Sequence, residues 1–127
     1  MQIGIKVYSS NGTKLMKQYL NIFDFIELLP VPGEGIERFK KCDTRFVIHT
    51  SHQAFGFNLL DQQKKKYNER ILNETIMKAD TLDANKIIVH VGVLGKRKSK
   101  KCAINILKKM DKRFYSTSLP GEVEEIC

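Results

Sequence analysis

The sequence predicts an α/β fold on a parallel sheet, organised as (βα)4 with the start of a fifth strand. Three observations carry this. Short β-rich runs alternate with stretches of helical spacing along all 127 residues. The fourth apolar run, "NKIIVHVGV" (85–93), is nearly continuous in β-branched residues, as in a strand buried on both faces. The sequence closes on "PGEVEEIC", in which "VEEIC" reads as a fifth strand with no helix behind it. Alternation of this kind implies right-handed crossovers within one sheet.

The elements follow in order. "IGIKVY" (3–8) is the first strand, and "SSNG" is a turn in which Ser10 or Asn11 can cap a helix. Leu15, Met16, Tyr19 and Leu20 then recur at helical spacing. "FDFIELLP" (23–30) is the second strand, stopped by Pro30 and Pro32. "GEGIERFKKC" carries a short helix with Ile36 and Phe39 inward, and "RFVIHTS" (45–51) is the third strand. A long helix turns Tyr67, Ile71, Leu72, Thr75, Ile76, Ala79 and Leu82 to one side and charge to the other. The fourth strand is 85–93. The fourth helix, 100–113, is expected to turn Ala103, Ile106, Leu107 and Met110 inward.

Residues 1–127 read as one domain, with no linker and no low-complexity segment. Two architectures fit the pattern. One is a small doubly wound, flavodoxin-like sheet. The other is half of a (β/α)8 barrel, which in full takes about 250 residues. A half barrel leaves a strand edge unpaired, so it should form a homodimer through exposed edges, aggregate, or be a fragment.

Composition limits the partners. Hydrophobic content is 42% and charged content 28%, ordinary for a globular domain. No apolar stretch reaches the ~18 residues that span a membrane, so no membrane partner is expected. "MQIGIKVYSS" does not read as a secretory leader. The net charge of +8 permits a polyanion. Cys42, Cys102 and Cys127 are odd in number and scattered, which points to a reducing, cytoplasmic setting. Cys42 and Cys102 are expected in the interior. "GEGIER" lacks the third glycine of a dinucleotide loop.

All three histidines stand where an apolar run stops. His49 and His52 follow "FVI", and His90 follows "IIV". In a parallel sheet, chemistry gathers at the carboxyl ends of strands. Neighbouring strands lie ~4.8 Å apart, so His49 and His90 converge if strands three and four are neighbours. Imidazoles with a carboxylate suit zinc, manganese or iron, and the candidate carboxylates are Glu27, Glu124 and Glu125. The competing reading makes each histidine a hydrogen-bonded loop residue. His52, beyond the strand end, would orient substrate or a neighbouring ligand.

At these residues a resemblance enters. "VIHTSHQAFGFNLLD" followed by "ADTLDANKIIVHVG" resembles strands three and four of the xylose isomerase-like TIM barrels. That superfamily holds sugar isomerases and epimerases together with apurinic-site nucleases of the endonuclease IV type. "FDFIELLP", with Glu27 and Leu28, is similar to the family's second strand. The resemblance spans essentially the whole chain, as the amino-terminal half of a barrel. It implies His49 and His90, the latter in a His-x-Gly setting with Gly92, as ligands of a divalent metal. It implies Glu27 and His52 as the catalytic groups facing a sugar or sugar phosphate. The family's glutamate ligand follows strand five, just after a segment such as "VEEIC", and the ligands of strands six to eight have no counterpart. The implied state is therefore at most half a metal site, inactive alone.

"KRKSKK" (96–101) places five cations in six residues after strand four. Lys96, Arg97 and Lys98 are its candidates for phosphate contact. A solvated loop is the competing reading. Three functions remain open. The first is a half of a metal-dependent isomerase or epimerase, in which metal polarises oxygen and a carboxylate moves the proton. The second is an endonuclease IV-like nuclease acting on DNA. The third is a non-catalytic half barrel that dimerises.

Overall fold

The fold was obtained as a computed structural model. It describes all residues except 11–13, 15–16, 19–20, 52, 91–96, 120–121 and 125–127. For 53, 97–102, 104, 116–119 and 122–124 it describes the backbone alone.

A six-stranded sheet organises the chain: β1 (Gly4–Tyr8), β2 (Phe25–Leu29), β3 (Arg45–His49), β4 (Ile87–Val89), β5 (Phe114–Leu119) and β6 (Glu122–Glu124). Its spatial order is β1-β2-β3-β4-β5-β6, the order of the chain. The first five strands pair in parallel, and β6 returns antiparallel to β5. Two helices carry the later crossovers, α1 (Lys65–Thr81) between β3 and β4 and α2 (Arg97–Met110) between β4 and β5. After β1, Ser9, Ser10, Lys14, Lys17 and Gln18 are helical. Between β2 and β3 the link is a single 3-10 turn, Glu37–Lys41. Among the described residues, no helix is long and apolar enough to cross a membrane.

Two sequence expectations are corrected here. The fifth parallel strand is "FYSTSL", not "VEEIC", whose first two residues belong to β6, antiparallel to β5. Phe114 supplies the reason: it is fully buried and lies in register with Ile87, so β5 takes the sheet position beside β4. The fourth helix also begins earlier, at Arg97, and presents a narrower stripe. Ala103 and Leu107 are buried, but Ile106 is 56% exposed and Met110 37%.

Strand alternation divides the sheet into two unlike faces. Val7, Ile26, Leu28, Phe46, Ile48, Ile87, Val89 and Phe114 form one, all buried in a single core. Ile71, Leu72 and Ala79 of α1, Leu107 of α2 and Phe39 of the 3-10 turn cover it. Ile36 and Phe39 point inward as the sequence predicted. Cys42 is half-buried against this core, and burial pushes its thiol pKa up. The other face carries Lys6, Phe25, Glu27, Arg45, Val47, His49, Ile88 and Tyr115. There Val47 and His49 are buried while Lys6 and Arg45 are exposed.

Candidate functional site

β3 ends on His49 and β4 stops one residue before His90. The register sets His49 opposite Ile88, so His90 lies two residues farther on, on the same side of the sheet. The two rings meet. Their Nε2 atoms are 3.0 Å apart, with centroids at 4.7 Å and planes tilted by 44°. His49 is 1% exposed, and its Nδ1 donates to the Thr50 carbonyl at 2.7 Å. A neutral His49 therefore turns the lone pair of Nε2 toward His90. One proton suffices for the Nε2–Nε2 hydrogen bond. Thr50 is itself tied to β4, its amide donating to the Ile88 carbonyl at 2.8 Å.

Glu27 stands beside the pair. It lies in register with Val47, two residues before His49, and its Oε1 is 3.8 Å from His49 Nε2. Lys6, the register partner of Glu27 on β1, brings Nζ to 3.4 Å from the same oxygen. The line Lys6–Glu27–His49–His90 thus crosses four strands. The structure brings Glu27, His49 and His90 together, with Glu27 Oε1 3.8 Å and His90 Nε2 3.0 Å from His49 Nε2. Among the described residues, no group of three or more His, Cys, Asp or Glu side chains has metal-binding geometry. What the arrangement supplies is two converging imidazole nitrogens, with a carboxylate 3.8 Å from one of them.

His52, Gly92, Lys96 and Glu125 lie outside the described residues. Arg97 and Lys98 fall in the first turn of α2 rather than in a loop, with their side chains outside the description. Glu124 sits on antiparallel β6, also described by its backbone alone.

Three features near the site escaped the sequence reading. Lys6 carries no local signal, and only the β1–β2 register joins it to Glu27. Ser51, two residues past His49, is buried, and its hydroxyl has no hydrogen-bond partner among the described residues. It lines a cavity of about 10 Å³ with His49, Thr75 and Lys78, room for one water. Ser9, expected in a turn, is fully buried and clasps the loop after β2. Its hydroxyl donates to Glu34 Oε2 at 2.8 Å and accepts from the Val31 amide at 2.9 Å. Arg38 closes the clasp by donating to Glu34 Oε1 at 2.9 Å and to the Ser9 carbonyl. The Ser9 hydroxyl and the Arg38 guanidinium together hold the Glu34 carboxyl below its ordinary pKa. Lys78 is shifted down by burial, partly offset by Glu74, Glu34 and Glu37.

No protein-family model matches the chain, and no curated protein matches its sequence.

Proposed function

We propose that the chain is a xylose isomerase-like half barrel, and that His49 and His90 form a two-nitrogen half-site for a divalent metal. The observation that carries this is the 3.0 Å approach of the two Nε2 atoms at the carboxyl side of neighbouring parallel strands. Two nitrogens bound to one ion, each at ~2.1 Å, must lie about 3.0 to 3.4 Å apart, so the pair has the required span. The Nδ1–H to Thr50 carbonyl bond fixes His49 in the tautomer that ligation needs.

The strand order supports the barrel half of the reading. A flavodoxin-like sheet reverses its order at a switch point, 2-1-3-4-5. Here the five parallel strands run in chain order without reversal, as barrel strands do.

A bound zinc, manganese or iron ion would polarise a carbonyl or hydroxyl oxygen of a sugar or sugar phosphate. The chain's own groups would do the rest. Glu27, held by Lys6, is the carboxylate placed to take a proton from the neighbouring carbon. Thr50 keeps the His49 ring in position. Two histidines are a partial ligand set, so turnover is expected only when further ligands complete it.

The test is calorimetric titration of the tag-free chain with Zn²⁺ and Mn²⁺. One equivalent bound with micromolar affinity, lost in the His49→Ala/His90→Ala variant, supports the half-site. Equal binding by the variant, or none by the parent chain, overturns it.

A further inference from the structure

We propose that the face of the sheet opposite the core holds a second site, for a nucleoside phosphate, free or within a single strand. The juxtaposition is two cations, Arg45 and Lys86, on the wall of a cavity that also brings two aromatic rings, Phe25 and Tyr115, to one surface, with Glu27 at its edge. It makes no use of the histidine pair.

The cavity measures about 360 Å³, within the range of small-molecule sites. It opens at the amino ends of the strands. Phe25 begins β2, Arg45 begins β3, Lys86 immediately precedes β4, and Tyr115 is the second residue of β5. The histidines lie at the other end of the same strands.

Charge is one argument. Among the described residues, neither Arg45 nor Lys86 has a carboxylate within ion-pair distance, and Glu27, on the same wall, is paired with Lys6 at 3.4 Å. An anionic ligand completes the two cations. A second copy of the chain would set the same two cations against its own two, so electrostatics oppose self-pairing through this face.

The rings are a second argument. The Arg45 guanidinium carbon lies 5.5 Å from the Phe25 ring centroid, and Lys86 Nζ lies 4.7 Å from that of Tyr115. Phe25 rests on β1 at Gly4, where a Cβ would come within 2.3 Å of the ring. Its position thus depends on glycine. The planar Arg45 guanidinium over Phe25 and the half-exposed Tyr115 ring form a platform on which bases stack. Asn85 lines the same cavity and offers an amide donor and acceptor to a base edge, beside Gln2, whose Oε1 accepts from the Arg45 guanidinium at 2.5 Å. A sugar phosphate alone would leave the rings unused.

The experiment is fluorescence anisotropy with a labelled uridine dodecamer, and calorimetry with AMP, both over a range of salt. The expected result is saturable binding whose salt dependence corresponds to about two phosphates, a log–log slope near −1.4 for the strand. Arg45→Ala/Lys86→Ala should weaken binding at least tenfold and flatten that slope. Tyr115→Leu should weaken it about fivefold with the slope unchanged. Lys65→Ala/Lys66→Ala, exposed on α1, should leave binding as it was. Tighter binding of the dodecamer assigns the strand, and equal binding of AMP assigns the free nucleotide. The His49→Ala/His90→Ala variant should bind both probes normally, so loss of the metal site and loss of this one are separately visible. Thermal melting of each variant checks folding. Three outcomes overturn the proposal: no binding below millimolar concentration, binding that weakens equally in the α1 variant, or a concentration-dependent dimer that excludes both probes.

Discussion

His49 and His90 oppose each other Nε2 to Nε2 at 3.0 Å, yet they are held very differently. His49 is 1% exposed and bonded to the Thr50 carbonyl, whereas His90 is only half-buried. The two single variants should therefore separate stability from ligand binding. His49→Ala is expected to cost about 2 kcal/mol in urea unfolding, from the lost packing and the stranded carbonyl, and to weaken Co²⁺ binding at least tenfold. His90→Ala is expected to weaken Co²⁺ binding as much while costing under about 1 kcal/mol. Cobalt absorption and urea midpoints measure the two effects independently. Equal destabilisation with Co²⁺ binding unchanged would reduce the pair to a core contact.

The buried amide of Asn68 makes the second prediction. On α1 it stands 2% exposed, on the apolar side of a helix whose other face is charged. Its Nδ2 donates to the Asn58 carbonyl at 2.8 Å, and its Oδ1 accepts from the Asn58 amide at 3.3 Å. One side chain thus satisfies both backbone groups of a buried loop residue. Asn68→Ala leaves the buried Asn58 amide unpaired and its carbonyl with the Asp61 amide alone, at 3.0 Å, at an expected cost of about 1 to 2 kcal/mol. Asn68→Asp keeps the acceptor and removes the donor, and should fall between. Denaturant unfolding of the two variants checks the order.

How far the sequence could be read follows from which contacts are local. The first four strands are legible as short β-rich apolar runs and the long helix as 3.6-residue spacing, signals which each segment carries itself. The meeting of His49 with His90 was foreseen from strand ends alone. The 3.0 Å approach depends on the β3–β4 register, which no single segment encodes. The fifth strand was misplaced for a related reason. "FYSTSL" is half serine and threonine and does not stand out as a strand until Phe114 is set beside Ile87. Lys6 and Ser51 were invisible because their roles come from a cross-strand neighbour and a helix packed behind the sheet. Ile106 and Met110 show the converse error, since helical spacing marks a stripe without fixing how much of it finds cover.

Acid should loosen the fold through two carboxylates. Glu34 is held below its ordinary pKa by the Ser9 hydroxyl and Arg38, and Asp111 by hydrogen bonds and charge from Arg113. Asp111 Oδ2 lies 2.8 Å from the Arg113 guanidinium, which also reaches Asp80 at 2.7 Å and has its own pKa raised. Both carboxyls bind protons less readily folded than unfolded. Their stabilisation is complete above the unfolded values of ~4, and is lost as pH falls through the lower folded values. The melting temperature should stay level in these terms from pH 7 to about 5 and drop below about pH 4. A Glu34→Gln/Asp111→Asn variant should melt lower at pH 7 and show a shallower acid decline. Melting curves across this pH range test the sign.

The strand that leads to His90 is launched from a strained cap, and relieving it should stabilise the protein. α1 ends at Thr81, and two residues later Asp83 takes φ = 53°, the left-handed region. The Ala84 amide then donates to the Ala79 carbonyl at 2.8 Å and the Asp83 amide to the Asp80 carbonyl at 3.2 Å. That is the Schellman pattern, in which glycine usually occupies the left-handed position. An aspartate there bears the steric cost of its Cβ and sets a negative charge beside the negative end of the helix dipole. Asp83→Gly removes both and should raise stability by about 1 kcal/mol, after the entropy that glycine costs in the unfolded chain. Asp83→Asn should gain less, since it relieves the charge and keeps the Cβ. Because Asp83 is exposed and β4 begins at Ile87, neither change touches the site directly. Metal binding by the His49–His90 pair should be unchanged in both variants. A loss of Co²⁺ affinity in Asp83→Gly would mean that this cap, and not the β3–β4 ladder alone, sets the approach of the two rings.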